Sequence, residues 1–334
     1  MTKPSVLIIG CGSIGERHLR CFQTTGRVQV TACEANPALL QRMADTYKVP
    51  VIGDWQSALK NKFDVVVICT PAQFHIPMAI QALLAGSHVL LEKPLSHSLK
   101  GVDDLFQARD RSGRQLAIAY VMHANSLLKE AGAFLRKGEL GPIRQASVVT
   151  GQAFHLLRPA YAQTYYRDRA TGGGAIQDAL THSVNFVESI LGPADSVLCD
   201  CAHLELANVT VEDTVVVSSR HGESLASFCL NQFQIPNENT MQFNAARGSV
   251  KIELHEKRWG ILRAGDTAWT WHPVATGVSD TPYINQANAF LDHLEGKPAY
   301  LCSLEAAAQT LRFNLAAIAS AASGSRVACA SLKA

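Results

Sequence analysis

The first third of the chain switches between two hydrophobic periods. Short, strongly apolar runs occur at Val6–Ile9, Val28–Cys33, Val65–Cys69, Val89–Leu91 and Leu116–Ala119. Runs with little alternation read as strands buried on both faces. Between them lie helical patterns. Leu39, Leu40, Met43, Ala44 and Tyr47 recur at helical spacing behind Asn36-Pro37, a capping side chain followed by a proline at the first helical position. Ile76–Leu84 and Leu99–Ala108 behave likewise. Alternating βα units of this kind predict a parallel sheet with helices on both faces.

Beyond about residue 122 the texture changes. A helix is predicted over Ser126–Lys137, a strand over Ile143–Gln152, a loop over Ala153–Thr171 and a helix from Gly174 to Leu191. Strand-like segments follow at Ser196–Leu206, Asp213–Arg220, Leu225–Phe233, Met241–Ala246, Ser249–Leu254 and Trp269–His272, with closing helices near Tyr283–Leu294 and Ser303–Ala322. Consecutive strands with short turns imply a mainly antiparallel sheet in an α+β domain. The expected division is therefore 1–121 and 122–334.

Composition narrows the field. A chain of 334 residues suits two domains, and 47% hydrophobic with 17% charged residues suits a globular protein. A net charge of +2 offers no strong field for nucleic acid or an anionic membrane. The start, MTKPSVLIIG, has too short an apolar run for a signal peptide, so a cytoplasmic protein with no membrane partner is expected. The nine cysteines are scattered and odd in number, with no CxxC or HExxH pattern, so free buried thiols and no metal are expected.

The first strand exits into Gly10-Cys11-Gly12-Ser13-Ile14-Gly15. Gly10 permits a tight turn, Gly12 lets backbone approach a pyrophosphate, and Gly15 lets the next helix pack close to the strand. The free N–H groups of that helix then face phosphate. The second strand exits at Glu34, nineteen positions after Gly15. A carboxylate there accepts hydrogen bonds from ribose hydroxyls and repels a 2′-phosphate, and Ala35-Asn36-Pro37 offers no arginine to bind one. A Rossmann domain binding NAD, with NADP disfavoured, is the reading. Later strands exit at Thr70-Pro71, Glu92-Lys93-Pro94 and Tyr120.

Glu92-Lys93-Pro94, with Cys69-Thr70-Pro71 and His75 before it and Gly172-Gly173-Gly174, Asp178 and His182 after it, resembles the glucose–fructose oxidoreductase / inositol dehydrogenase (Gfo/Idh/MocA) family. The resemblance runs from the glycine turn to the segment Tyr283–Pro298. It implies an NAD-dependent oxidoreductase in which Lys93 lies beside the nicotinamide and Asp178 and His182 face it. Thr70, Pro71, His75 and Glu92 would line the nicotinamide ribose side. It also implies a homodimer or homotetramer, paired through an open sheet face made apolar by Val215, Val217, Leu225 and Phe228. The chain departs from the family pattern at Ala72, Asn185, His123 and Asn125, which leaves the substrate class open.

The spacing agrees with a catalytic helix: Asp178, His182 and Asn185 stand at i, i+4 and i+7, on one face. Removing a hydride from a secondary alcohol needs a base for the hydroxyl proton and a donor for the developing oxyanion. His182 suits the base and Lys93 the donor, while Asp178 binds a neighbouring hydroxyl or orients His182. Tyr120, His123, Arg158, Tyr165 and Asn185 are candidate substrate contacts. The loop Phe154–Arg169 carries Arg158, Tyr161, Tyr165, Tyr166, Arg167 and Arg169. Arginine forks bind carboxylate or phosphate, and tyrosines stack on sugar faces, so an anionic or nucleotide-linked sugar is one expectation. A plain surface loop, or an arm crossing a subunit interface, is the other. Two further functional classes fit the same residues: a glycosidase using held NAD for transient oxidation, and a non-catalytic NAD-binding protein.

Overall fold

The computed structural model describes residues 3–333; Met1, Thr2 and Ala334, the outer ends of the two expected domains, lie outside the described residues. The first sheet consists of β1 (Ser5–Ile9), β2 (Gln29–Cys33), β3 (Val51–Ile52), β4 (Val65–Ile68), β5 (His88–Leu91) and β6 (Leu116–Ile118). They are all parallel, in the order β3-β2-β1-β4-β5-β6. The order reverses between β1 and β4, which is where open α/β sheets place their ligand crevice. The connecting helices are α1 (Ser13–Thr24), α2 (Pro37–Tyr47), α3 (Trp55–Leu59), α4 (His75–Leu84) and α5 (Val102–Ser112). Asn36 caps α2 as expected, accepting from the N–H groups of Ala38 and Leu39. The two-residue β3 is too short to carry a readable period.

The second unit opens with α6 (Ser126–Lys137) and holds a nine-stranded sheet. Its strands are β7 (Ile143–Gly151), β8 (Ser196–Ala202), β9 (Thr214–His221), β10 (Ser224–Asn231), β11 (Glu238–Ala245), β12 (Gly248–Glu253), β13 (Arg258–Arg263), β14 (Thr270–Pro273) and β15 (Val327–Ala328). The order is β14-β13-β12-β11-β7-β10-β9-β8-β15, antiparallel throughout except for β10 beside β7. β13 escaped the sequence pattern because arginines bound it and Gly260 interrupts its apolar residues. Before the second strand of this sheet come a single turn, α7 (Phe154–Leu157), and the helix α8 (Thr181–Leu191).

One expectation about this sheet is corrected. Val215, Val217 and Phe228 are buried on the helix-covered side, where Phe228 packs edge-on against Phe313 with centroids 5.6 Å apart. The uncovered face instead carries Val149, Leu198, Val216 and Leu225, of which Val216 is 53% exposed. Strand side chains alternate with period two, so residues of opposite register cannot share a face.

The chain closes with α9 (Thr281–Leu294) and α10 (Leu304–Ser323). One compact unit runs to Ala124 and takes back Gly277–Ala307; the other comprises Asn125–Thr276 and Ala308–Lys333. The chain thus enters each unit twice, where the sequence alone suggests one boundary after residue 121. The reason is packing: Ala287, Phe290 and Leu291 of α9 belong to the core built on Val6, Ile8, Leu19, Phe22, Val65 and Val67. All nine cysteines are free; most are buried, but Cys201 is half-buried and Cys229 exposed. Among the described residues no helix is long and apolar enough to cross a membrane.

Candidate functional site

The glycine turn sits at the exit of β1. Gly10 has φ +85°, the left-handed region that favours glycine, and its N–H donates to the Cys33 carbonyl over 2.8 Å. A Cβ on Gly15 would collide with the Gly10 carbonyl, so only glycine lets α1 start this close to the strand. A Cβ on Gly12 would meet nothing within 4 Å. Gly12 is thus bare backbone on open space at the head of α1, which fits a pyrophosphate cradle. Ser13 opens α1 on the exposed side, and Ile14 packs partly against the core.

Glu34 follows β2 and is held in place by backbone. Its Oε2 accepts from the Cys11 N–H at 2.8 Å and its Oε1 from the Asn36 N–H at 2.9 Å. The carboxylate is half-buried against the glycine turn, with lone pairs left for further donors such as ribose hydroxyls. Burial, then the nearby Glu34 charge, pushes the Cys11 thiol up to about 12, which makes it chemically quiet.

The exits of β4 and β5 are cross-linked. Buried His75 has its Nε2 2.8 Å from the Thr70 carbonyl and its Nδ1 2.8 Å from the Pro94 carbonyl, so one imidazole spans both turns. Burial lowers its pKa, against the pull of those two carbonyls. Glu92 is also buried, with Oε1 2.7 Å from His18 Nε2 and Oε2 accepting from the Lys93 N–H at 3.0 Å. Both side chains therefore grip neighbouring groups inside the unit. Thr70 is half-buried, its hydroxyl donating to Met78 Sδ, while Pro71 is exposed and Lys93 half-buried. Tyr120 is buried after β6, and His123 lies edge-on to Tyr300 at 5.0 Å.

On the second unit the expected regular helix has a different start. Residues Ile176–Leu180 form a π-turn that runs into α8, so Asp178 and His182 are not spaced by plain α geometry. Glu212 organises this start. Its buried carboxylate accepts from the Ile176 N–H at 3.0 Å and from Arg169 at 2.6 Å, and a Cβ on Gly174 would crowd it. Nothing in the sequence singled Glu212 out, because it lies 36 positions from its helix partner.

Asp178 is buried, with its oxygens met by the long loop. Tyr165 donates its hydroxyl to Oδ1 at 2.7 Å, and Arg158 lies 3.5 Å from Oδ2. The loop is held by its own small core of Phe154, Tyr161 and Tyr166 packed on Leu206, Val209 and Val211. Tyr161 donates to the Ala207 carbonyl, and Tyr166 donates to Gln232. The structure thus brings Arg158, Tyr165 and Asp178 together. Asn185 is buried and donates to the Thr310 hydroxyl at 2.9 Å, which ties α8 to α10.

Residues 5–120 match the family model described as "Oxidoreductase family, NAD-binding Rossmann fold", and residues 128–251 match "GFO/IDH/MocA C-terminal domain". Among curated relatives, 1-carboxy-3-chloro-3,4-dihydroxycyclo hexa-1,5-diene dehydrogenase of Comamonas testosteroni is 31% identical over 183 residues, 54% of this chain and 45% of that enzyme. The matched stretch thus spans under half the length of that relative. D-glucoside 3-dehydrogenase of Escherichia coli is 24% identical over 348 residues, covering 96% of both chains. Among solved structures, levoglucosan dehydrogenase in complex with NADH and levoglucosan superposes with a TM-score of 0.89 at 19% identity, over 98% of this chain and 100% of that one. At that identity the likeness is one of fold.

Proposed function

This chain belongs to the Gfo/Idh/MocA family of oxidoreductases, and on that premise we propose that it is an NAD-dependent dehydrogenase moving a hydride between the nicotinamide and a secondary hydroxyl of a sugar, cyclitol or sugar derivative. The observation that carries the substrate class is Asp178: a buried carboxylate reached by a tyrosine hydroxyl and an arginine. Such a group accepts hydrogen bonds from neighbouring hydroxyls of a polyol. The names of the Escherichia coli glucoside enzyme and of levoglucosan dehydrogenase support the same class. The Comamonas relative's name includes a carboxyl group, which supports the anionic variant with Arg158 as its partner.

The residues at the glycine turn fit NAD. Gly10, Gly12 and Gly15 leave room for the pyrophosphate, Ser13 and Ile14 begin the helix that faces it, and Glu34 takes the ribose hydroxyls. NAD supplies the hydride acceptor, or NADH the donor. His182 takes the hydroxyl proton as the alcohol is oxidised, Lys93 holds the same oxygen by donating to it, and Asp178 fixes an adjacent hydroxyl. Thr70, Pro71 and Lys93 border the nicotinamide ribose, with His75 and Glu92 holding the turns that carry them.

Screening neutral, carboxylated and nucleotide-linked sugars and cyclitols by NADH absorbance, with NADP as control, tests the proposal. At least one class should be oxidised with NAD and poorly with NADP, and His182→Ala should lower turnover by roughly 100-fold or more. Glycoside cleavage without added cofactor would replace the reading with transient oxidation by held NAD. Near-full turnover in His182→Ala would remove the base assignment.

A further inference from the structure

The Lys93 turn is held through a buried acid that the reaction itself does not use. Glu92 directly follows β5 and directs its two oxygens to different parts of the first unit. Oε2 accepts from the Lys93 N–H, and Oε1 lies 2.7 Å from His18 Nε2 on α1, the helix that begins at the glycine turn. The His18 side chain is 1% exposed and that of Glu92 is 7% exposed. The Tyr283 ring from α9 closes over His18 edge-on at 5.8 Å. His18 Nδ1 is buried and meets no hydrogen-bond partner among the described residues, where the imidazole's hydrogen bond is the one to Glu92. In a dry interior that bond is strong and costly to lose, so the ring is held to the carboxylate oxygen that meets it.

We propose that His18 and Glu92 are positioning residues, which register the Lys93 turn against the helix that heads the cofactor site. The link deepens the proposed role of Lys93 at the nicotinamide and rests on it for its functional meaning. His75 grips the same turn from the opposite side through the Pro94 carbonyl. Lys93 thus follows a backbone fixed on both flanks, and its side chain is presented from a set point. The two partners lie 74 positions apart, and neither is placed at the reacting atoms.

The test follows Lys93 directly. Lysines are reductively methylated with 13C-formaldehyde, and the Lys93 resonance is assigned by its absence in Lys93→Arg. NADH is the ligand probe, titrated by fluorescence. Glu92→Gln keeps the size but turns an N–H₂ toward one of the two donors; His18→Leu removes the ring donor; His18→Gln restores one. The Lys93 resonance should move in Glu92→Gln and in His18→Leu and return toward the parent position in His18→Gln. NADH affinity should stay within about threefold in the two His18 variants, because the glycine turn and Glu34 are untouched. An unmoved Lys93 resonance in both Glu92→Gln and His18→Leu would overturn the proposal. A return no better in His18→Gln than in His18→Leu would overturn it as well, reducing His18 to packing. Should Glu92→Gln be too unstable to bind NADH, His18→Leu decides alone. A parent Lys93 resonance that ignores NAD⁺ would refute the nicotinamide role, while the variants still decide the positioning link.

Discussion

At the residue scale, the three glycines of the first turn carry separable duties. An added methyl at Gly12 enters open space, whereas at Gly15 it strikes the Gly10 carbonyl. Gly12→Ala should therefore keep its melting temperature within about 2 °C while NADH binding weakens by tenfold or more, since the methyl occupies the phosphate approach. Gly15→Ala should lose about 2–3 kcal/mol in denaturant unfolding, the usual cost of overpacking. Glu34 adds charge to shape. Glu34→Gln keeps an oxygen for the Cys11 N–H but removes the repulsion against a 2′-phosphate. Titration of both cofactors should then show the NADH-over-NADPH preference narrowing by roughly tenfold, the worth of a charge-assisted bond. An unchanged preference would mean that Glu34 does not select the cofactor.

At the scale of elements, the βα repeats and the glycine turn were legible because their signals are local. Asn36 caps α2 within three residues, and Glu34 lies a fixed distance from Gly15. The start of α8 was not legible. Whether Ile176–Leu180 winds as a regular or a wider turn depends on Glu212 and on the crowding at Gly174, both set by distant chain. The His18–Glu92 bond was equally silent, since its partners sit in separate βα units. The uncovered sheet face could have been sorted by parity alone: Leu225 and Phe228 stand in opposite registers. The long loop is the element whose role changed most. It folds around Phe154, Tyr161 and Tyr166 and delivers Tyr165 to Asp178. Phe154→Ala should cost about 3–5 kcal/mol of the loop's local stability and open it to trypsin at Arg167 and Arg169. NADH binding should be unaffected, and equal resistance to trypsin would show that the small core does not hold the loop.

For the whole molecule, stability should respond to acid in two opposing ways. Burial lowers the pKa of His75, His88 and His221, so the unfolded chain takes up protons near pH 6.5 that the folded one refuses. Their contribution is full above that pH and is lost as pH falls below it. Burial raises Glu188 to about 7 from an ordinary 4.5, so its contribution is full below 4.5 and is lost as pH climbs toward 7. Between those limits the slopes oppose each other. Glu188→Gln should accordingly show a steeper fall in melting temperature from pH 7 to 5.5 than the parent, by scanning calorimetry. The uncovered sheet face makes a second demand. Val216 and Leu225 leave an apolar strip outside, and Val216→Lys should shift a self-associating parent toward monomer in sedimentation while NADH still binds. Finally, the return of α9 to the first unit sets a timetable for synthesis on the ribosome. The core around Val6 and Phe22 lacks Phe290 and Leu291 until the whole intervening stretch 125–276 has been synthesised. The nascent cofactor domain must therefore wait, partly uncovered, for its last helix, and a fragment ending at Ala124 should be insoluble unless residues 277–307 are supplied with it.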